Sequence, residues 1–158
     1  MIHYSDEPTQ SSPSTEIKNP SIFLAGPTKR SSYKPGETLK ERIKTQWRQD
    51  FIDMFGDRFD LFAPEPFHNK WPNYEAQIKW ELEYLEKADY IVFWIPRNSE
   101  FPGFTTNVEF GEWYKHEKTF YGRPGWAEKC QYLDYIWKVS QPTKDICTEL
   151  SQFNNFLK

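Results

Sequence analysis

The chain has 158 residues, 27% of them charged, with a formal net charge of −3 at pH 7. That length fits one compact domain with a core of its own, and the charge excludes the broad basic field that draws a protein to polymeric nucleic acid or an anionic membrane. Two cysteines, Cys130 and Cys147, are too few for a disulfide framework or a cysteine-based zinc site, and no apolar run approaches the ~20 residues that span a bilayer.

Residues 1–20 are polar, rich in Ser, Thr, Pro and acidic groups, and carry no basic-then-apolar export pattern. They are expected to form a flexible N-terminal arm ahead of a single domain over 21–158 in the reducing cytoplasm. Order is expected to begin at Ser21–Ala25, a short apolar run stopped by Gly26-Pro27, which predicts a buried strand. Leu39, Ile43, Trp47, Phe51 and Met54 then recur at helical spacing, and Gly56 closes that helix. Phe59–Ala63 reads as a second strand, ended by Pro64-Glu65-Pro66. Asn73 caps the next predicted helix, with Tyr74, Ile78, Leu82 and Leu85 as its buried stripe and Trp80, Glu83 and Tyr84 as surface. Tyr90–Ile95 is continuously apolar, as a strand buried on both faces is. A helix over Asn107–Glu117, a short strand at Thr119–Tyr121 and a helical remainder broken near Pro142 complete the chain. Alternation of this kind predicts a parallel sheet with helices on both faces, and ligands beyond the carboxyl ends of its strands.

That rule draws attention to Glu109. The pattern Thr106-Asn107-Val108-Glu109 puts it in the first turn of a helix, where free N–H groups and the helix dipole keep a carboxylate ionised, as a nucleophile requires. The same four residues fit a capping box, in which Glu109 only satisfies the helix end. Glu81 falls within the apolar arc of its helix at 100° per residue, so it either works as an acid with a shifted pKa or reaches solvent at the helix edge. Two carboxylates facing one cleft suit glycosidic chemistry. Arg97, Lys29, Arg30 and Arg123 follow strands and suit a phosphate, or are solvated surface charge; no glycine-rich phosphate loop accompanies them. Asn107 either binds a sugar hydroxyl or caps its helix. His3, His68 and His116 lack ligand spacing, so no metal site is expected. The chain is 18% aromatic, which suits stacking on a planar ligand or a large subunit interface.

Read together, Phe23-Leu24-Ala25-Gly26-Pro27, Trp47-Arg48, Pro64-Glu65, Gln77–Glu81, Ala88–Arg97, Thr105–Gly111 and Tyr121–Pro124 resemble, in order, the nucleoside 2-deoxyribosyltransferase-like family. The resemblance implies a flavodoxin/Rossmann-like three-layer sandwich around a small parallel sheet of roughly four to five strands. It implies cleavage or transfer at the N-glycosidic bond of a nucleoside or nucleotide, through a covalent glycosyl-glutamate intermediate. On it Glu109 becomes the nucleophile and Glu81 the group that assists the leaving base, at a position where a well-studied branch has Asp. Asn107, Thr106, Arg97, Gly26 and Pro27 are then expected to hold the substrate, with Phe23 and Trp47 stacking near the base. That branch also carries an Asp where this chain has Pro102-Gly103-Phe104. Related hydrolases act on deoxynucleoside monophosphates, and Arg97 would suit a 5′-phosphate. No cofactor is needed. The expected partners are a nucleoside or nucleotide, a free base, and further copies of the chain in a homo-oligomer. A non-catalytic nucleotide-binding module is the alternative.

Overall fold

A computed structural model describes residues 1–6, 19–28, 47–66, 73–99 and 102–158. Strands and helices alternate: β1 (Ile2–Tyr4), β2 (Ser21–Ala25), α1 (Trp47–Phe55), β3 (Asp60–Ala63), α2 (Tyr74–Lys87), β4 (Tyr90–Trp94), α3 (Phe104–Trp113), β5 (Thr119–Gly122) and α4 (Gln131–Ser140), then a 3-10 helix at Leu150–Asn155. The strands form one all-parallel sheet in the order β1-β3-β2-β4-β5. This is the flavodoxin/Rossmann-like α/β arrangement. Without β1, the order β3-β2-β4-β5 is that of the first four strands of a flavodoxin-like sheet.

β1 corrects the expected arm. Ile2, His3 and Tyr4 lie opposite Leu61, Phe62 and Ala63 in a parallel pair. Three residues are too few to show a period; the free edge of β3 makes the strand, not local propensity. Residues 7–18 lie outside the described residues.

The chain divides into two compact units, Met1–Leu24 with Ser31–Asp89, and Ala25–Arg30 with Tyr90–Lys158. In the first, β2 pairs with β3, Ile22 opposite Leu61 and Phe23 opposite Phe62, and both strands are buried along their length. Polar residues at the strand starts are held internally: the Ser21 amide and hydroxyl both donate to Asp89, at 2.8 and 2.7 Å. Helix α1 buries Trp47, Arg48, Phe51, Ile52 and Phe55, while Met54, expected inside, is exposed. Leu39 and Ile43 of the expected stripe lie outside the described residues.

Helix α2 starts where expected, with the Asn73 side chain accepting from the Ala76 amide at 2.8 Å. Its buried face differs from the reading. Tyr74, Ile78 and Leu82 are exposed, and Trp80 and Leu85 are buried. The inward side runs Gln77, Trp80, Glu81, Tyr84, Leu85 and Ala88 at helical spacing. Aromatic contacts fix this choice: the Trp80 ring lies 6.1 Å from Phe23 and 6.4 Å from Phe62, and Tyr84 lies 4.3 Å from Phe62. Rings of that size bury more area than Ile or Leu.

In the second unit β4 pairs with β5, Val92 opposite Phe120 and Phe93 opposite Tyr121. Fully buried Trp137 of α4 packs on Phe110 and Tyr121, and its Nε1 donates to the Lys144 carbonyl at 3.1 Å. The expected helical remainder is interrupted by more than a break at Pro142. After α4 the chain runs beside β5, where Cys147 bridges Gly122 in parallel. There the Arg123 amide donates to the Cys147 carbonyl at 2.8 Å, and the Cys147 amide donates to Tyr121 at 3.0 Å.

Candidate functional site

Helix α3 begins three residues before the expected start. Gly103 is its N-cap, in the left-handed region at φ 60°, ψ 48°, with no side-chain cap. The first intrahelical bond runs from the Asn107 amide to the Gly103 carbonyl, 3.2 Å. Thr106 is therefore the third residue of the helix and buried, not its cap. The expected capping box does not form, and Glu109 sits in the second turn, beyond the free N–H groups. The left-handed glycine explains the shift, because it turns the chain into the helix without a side-chain acceptor. A β-carbon on Gly103 would come within 3.2 Å of Pro27 and 3.5 Å of the Thr106 hydroxyl. Pro27, Gly103 and Thr106 thus pack together, joining the loop after β2 to the start of α3.

Glu109 is half-buried and shares its face with buried Thr106, Phe110 and Trp113, at helical spacing. Arg97 and Asn107 meet: the guanidinium Nη2 donates to the Asn107 side-chain oxygen, and Nη1 donates to the Lys129 carbonyl at 3.1 Å. Lys129 adopts a left-handed φ of 54°, and the neighbouring Glu128 amide donates to the Arg97 carbonyl at 2.9 Å. Arg97 is 6% exposed, and its buried Nε finds no acceptor among the described residues. Two of its three nitrogens are thus engaged with protein, one of them orienting Asn107. Gly26 is half-buried.

Arg123 is engaged as well, clasping Asp134 through Nε–Oδ1 at 2.9 Å and Nη2–Oδ2 at 2.6 Å, with the Tyr121 hydroxyl donating to the same carboxylate. Burial pushes the Asp134 carboxyl up, but these hydrogen bonds outweigh it and leave it lowered. A cavity of about 630 Å³ beside these residues is lined by Arg123, Lys138, Lys144 and Cys147, and Glu109, Asn107 and Arg97 are absent from its walls. Its lysine at 144 is already committed to the Glu117 and Thr119 carbonyls. Lys29, Arg30 and His68 lie outside the described residues. Among the described residues no cluster of His, Cys, Asp and Glu is placed to hold a metal ion, and no helix is long and apolar enough to cross a membrane.

In the first unit, Glu81 lies on the inward side of α2 and accepts from the Gln77 side chain at 2.9 Å. Burial raises its carboxyl above the usual range; the Gln77 bond and the positive charge of Arg48 offset only part of this. Phe23, expected to stack on a base, is fully buried against Trp80, because β2 is covered along its length. Trp47 is buried beneath the Arg48 guanidinium, 4.5 Å from ring centroid to Cζ.

Sequence reasoning gave Arg48 and Glu65 no role. Both are buried, and Nη1 of Arg48 meets the Glu65 carboxylate at 2.5 Å. The available signal was helical: Arg48, Ile52 and Phe55 recur at spacings of four and three, which places the arginine on the apolar face.

The fold and these side chains define a parallel α/β protein with half-buried carboxylates on two of its helices. Its family follows from comparison. The model of the family described as nucleoside 2-deoxyribosyltransferase like matches residues 19–124, more than half of the chain, and the chain belongs to that family. Among curated proteins none matches.

Proposed function

We propose that the protein cleaves the N-glycosidic bond of a nucleoside or nucleotide by double displacement. The observation that carries this reading is the position of Glu109. It lies in Asn-Val-Glu-Phe-Gly within the family match, half-buried on α3, two residues after an asparagine braced by a buried arginine. The Glu109 carboxylate attacks C1′ and forms an ester with the sugar, while the C1′–N bond breaks and the base leaves with its electron pair. Glu81, whose burial favours the protonated form, gives the leaving base its proton. Water or a second base then attacks C1′, surrenders a proton to Glu81 and frees Glu109. Asn107, held by Arg97, orients the sugar.

Exposed Tyr132, Tyr135 and Val139 on α4, with Ile78 and Leu82 on α2, support assembly into a homo-oligomer. A cytoplasmic location accords with the two buried free cysteines.

The test is release of free base from a panel of deoxynucleosides, ribonucleosides and their 5′-monophosphates, with and without a second base. Wild type should release or exchange base, and Glu109→Ala should lose at least about 10³-fold in kcat. Release into water marks a hydrolase, and exchange marks a transferase. Saturable binding without turnover of any member would overturn the nucleophile assignment and leave a binding module.

A further inference from the structure

The cavity of about 630 Å³ in the second unit is lined by α4, the segment beside β5 and the 3-10 helix, and the proposed chemistry does not use it. That volume is in the range of small-molecule sites, about 300–1,000 Å³. Its walls carry three cations, Arg123, Lys138 and Lys144, against two carboxylates, Asp134 and Asp145. One carboxylate is already neutralised, since Arg123 clasps Asp134 at 2.9 and 2.6 Å. Two lysines then stand against Asp145 in these walls, and the balance is positive.

The hydrogen-bond capacity of the walls points the same way. The Gln152 side-chain oxygen accepts from the Thr148 amide at 2.6 Å and the Glu149 amide at 3.2 Å, so its NH2 group is the part left for a ligand. Nη1 of Arg123 has the Pro124 carbonyl at 3.4 Å, beyond the usual limit of about 3.2 Å for an N–H···O bond, and can turn to a better acceptor. Lys138 is exposed on α4, one turn after Asp134. All three groups donate and two are charged, the combination that holds a phosphate. Lys144 has a different duty. Its ammonium donates to the Glu117 and Thr119 carbonyls, and the Gln141 side-chain amide donates to the Tyr114 and His116 carbonyls at 3.1 and 3.2 Å. These bonds pin the wall to the chain after α3, so the frame that carries the donors is set before a ligand arrives. Half-buried Phe156, stacked on Phe120 at 5.5 Å, gives the same cavity an apolar ring.

We propose that this cavity is a second ligand site, for a phosphate monoester carried on a planar body. The phosphate lies on Nη1 of Arg123, the Lys138 ammonium and the Gln152 amide, and the planar body lies against Phe156. Glu109, Asn107 and Arg97 do not line the cavity, so the site does not depend on the reading of Glu109 as a nucleophile. Free phosphate would answer the same donors, but it fills a small part of the volume and leaves the ring uncovered.

The experiment is titration calorimetry at fixed ionic strength in a buffer free of phosphate, with phenyl phosphate, inorganic phosphate and phenol as probes. Phenyl phosphate should bind saturably at one site per chain. Inorganic phosphate should bind at least about 10-fold more weakly, and phenol should give no saturable heat. Lys138→Ala should weaken phenyl phosphate at least about 10-fold, and Lys138→Glu should abolish its binding. Lys138 is exposed, so both variants should fold, which circular dichroism checks. Phe156→Leu should bring phenyl phosphate down to the level of inorganic phosphate, and Glu109→Ala should bind it as wild type does. Failure of wild type to bind phenyl phosphate would overturn the proposal, as would binding that survives Lys138→Glu. Binding lost in Glu109→Ala would also overturn it and place the probe at the glycosidic site. Equal affinity for the two phosphates would overturn the ester as occupant and leave free phosphate in its place. None of these outcomes depends on base release, so failure here and failure of the glycosidic reading are told apart.

Discussion

Arg48 and Glu65 are 17 positions apart and lie on different elements, a helix and the segment after a strand. Once the chain folds, neither can be changed alone at small cost. Removing the arginine leaves a carboxylate buried without its partner, and such breaks cost about 3–5 kcal/mol. Removing both charges together leaves neither orphaned. Urea unfolding should therefore show Arg48→Met losing about 3–5 kcal/mol and Arg48→Met/Glu65→Leu recovering most of it. Equal losses in both variants would mean that the packing of the guanidinium over the Trp47 ring matters more than its pairing with Glu65. Trp47-Arg48 and Pro64-Glu65 are both among the segments that resemble the family, but no periodicity tells that residues so far apart face each other. Glu109 shows the opposite case. The motif around it drew attention to it, yet its place in the helix was misjudged by a turn, because a left-handed Gly103 starts α3 and Thr106 does not.

Strands were the easiest elements to read. β2, β3 and β4 are buried along nearly all their residues, so each carries a short apolar run in the sequence, Ile22–Ala25, Leu61–Ala63 and Tyr90–Trp94. Helix faces were harder where apolar residues outnumber buried positions. On α2 two apolar arcs overlap, and the rings of Phe23 and Phe62 select the one that carries Trp80 and Tyr84. The segment after α4 was the least legible, because it is held by backbone bonds beside β5 and not by a pattern of its own. That segment can be tested through Cys147. Burial, with a smaller contribution from Asp145, pushes its thiol up to about 12, so it should resist thiol reagents until the segment opens. Gly122 lies against it: a β-carbon there would come within 2.7 Å of the Cys147 carbonyl oxygen and 3.0 Å of Phe153. In a Cys130→Ala background, Gly122→Ala should cost about 1–3 kcal/mol and speed labelling of Cys147 by about 5-fold or more under native conditions. Labelling at the parent rate would show that the segment moves aside without strain.

At the scale of the molecule, Asp134 and Glu81, two carboxyl groups with shifted proton affinity among the described residues, set opposite pH trends. Asp134 is lowered in the folded protein, so it contributes stability above its unfolded pKa, and that contribution is lost as pH falls through the folded value. Glu81 is raised, and its sign is reversed. The folded protein binds the Glu81 proton more tightly than the unfolded chain does, so stability falls as pH rises from the ordinary glutamate value, about 4.3, through the raised folded value. Above that window the whole penalty of an ionised, half-buried carboxylate is present. An assisting acid needs that environment, so the destabilisation and the proposed role have one origin. Glu81→Gln removes the charge, keeps the shape and can still bond Gln77 through its amide. Thermal unfolding of the two proteins from pH 4 to pH 8 should give a Tm advantage to Glu81→Gln that is near zero at the acid end and grows to a plateau near neutrality. Base release should fall in the same variant. A Tm difference that does not change with pH would mean that Glu81 ionises without penalty in the folded protein, and the case for it as the proton donor would lose its physical basis.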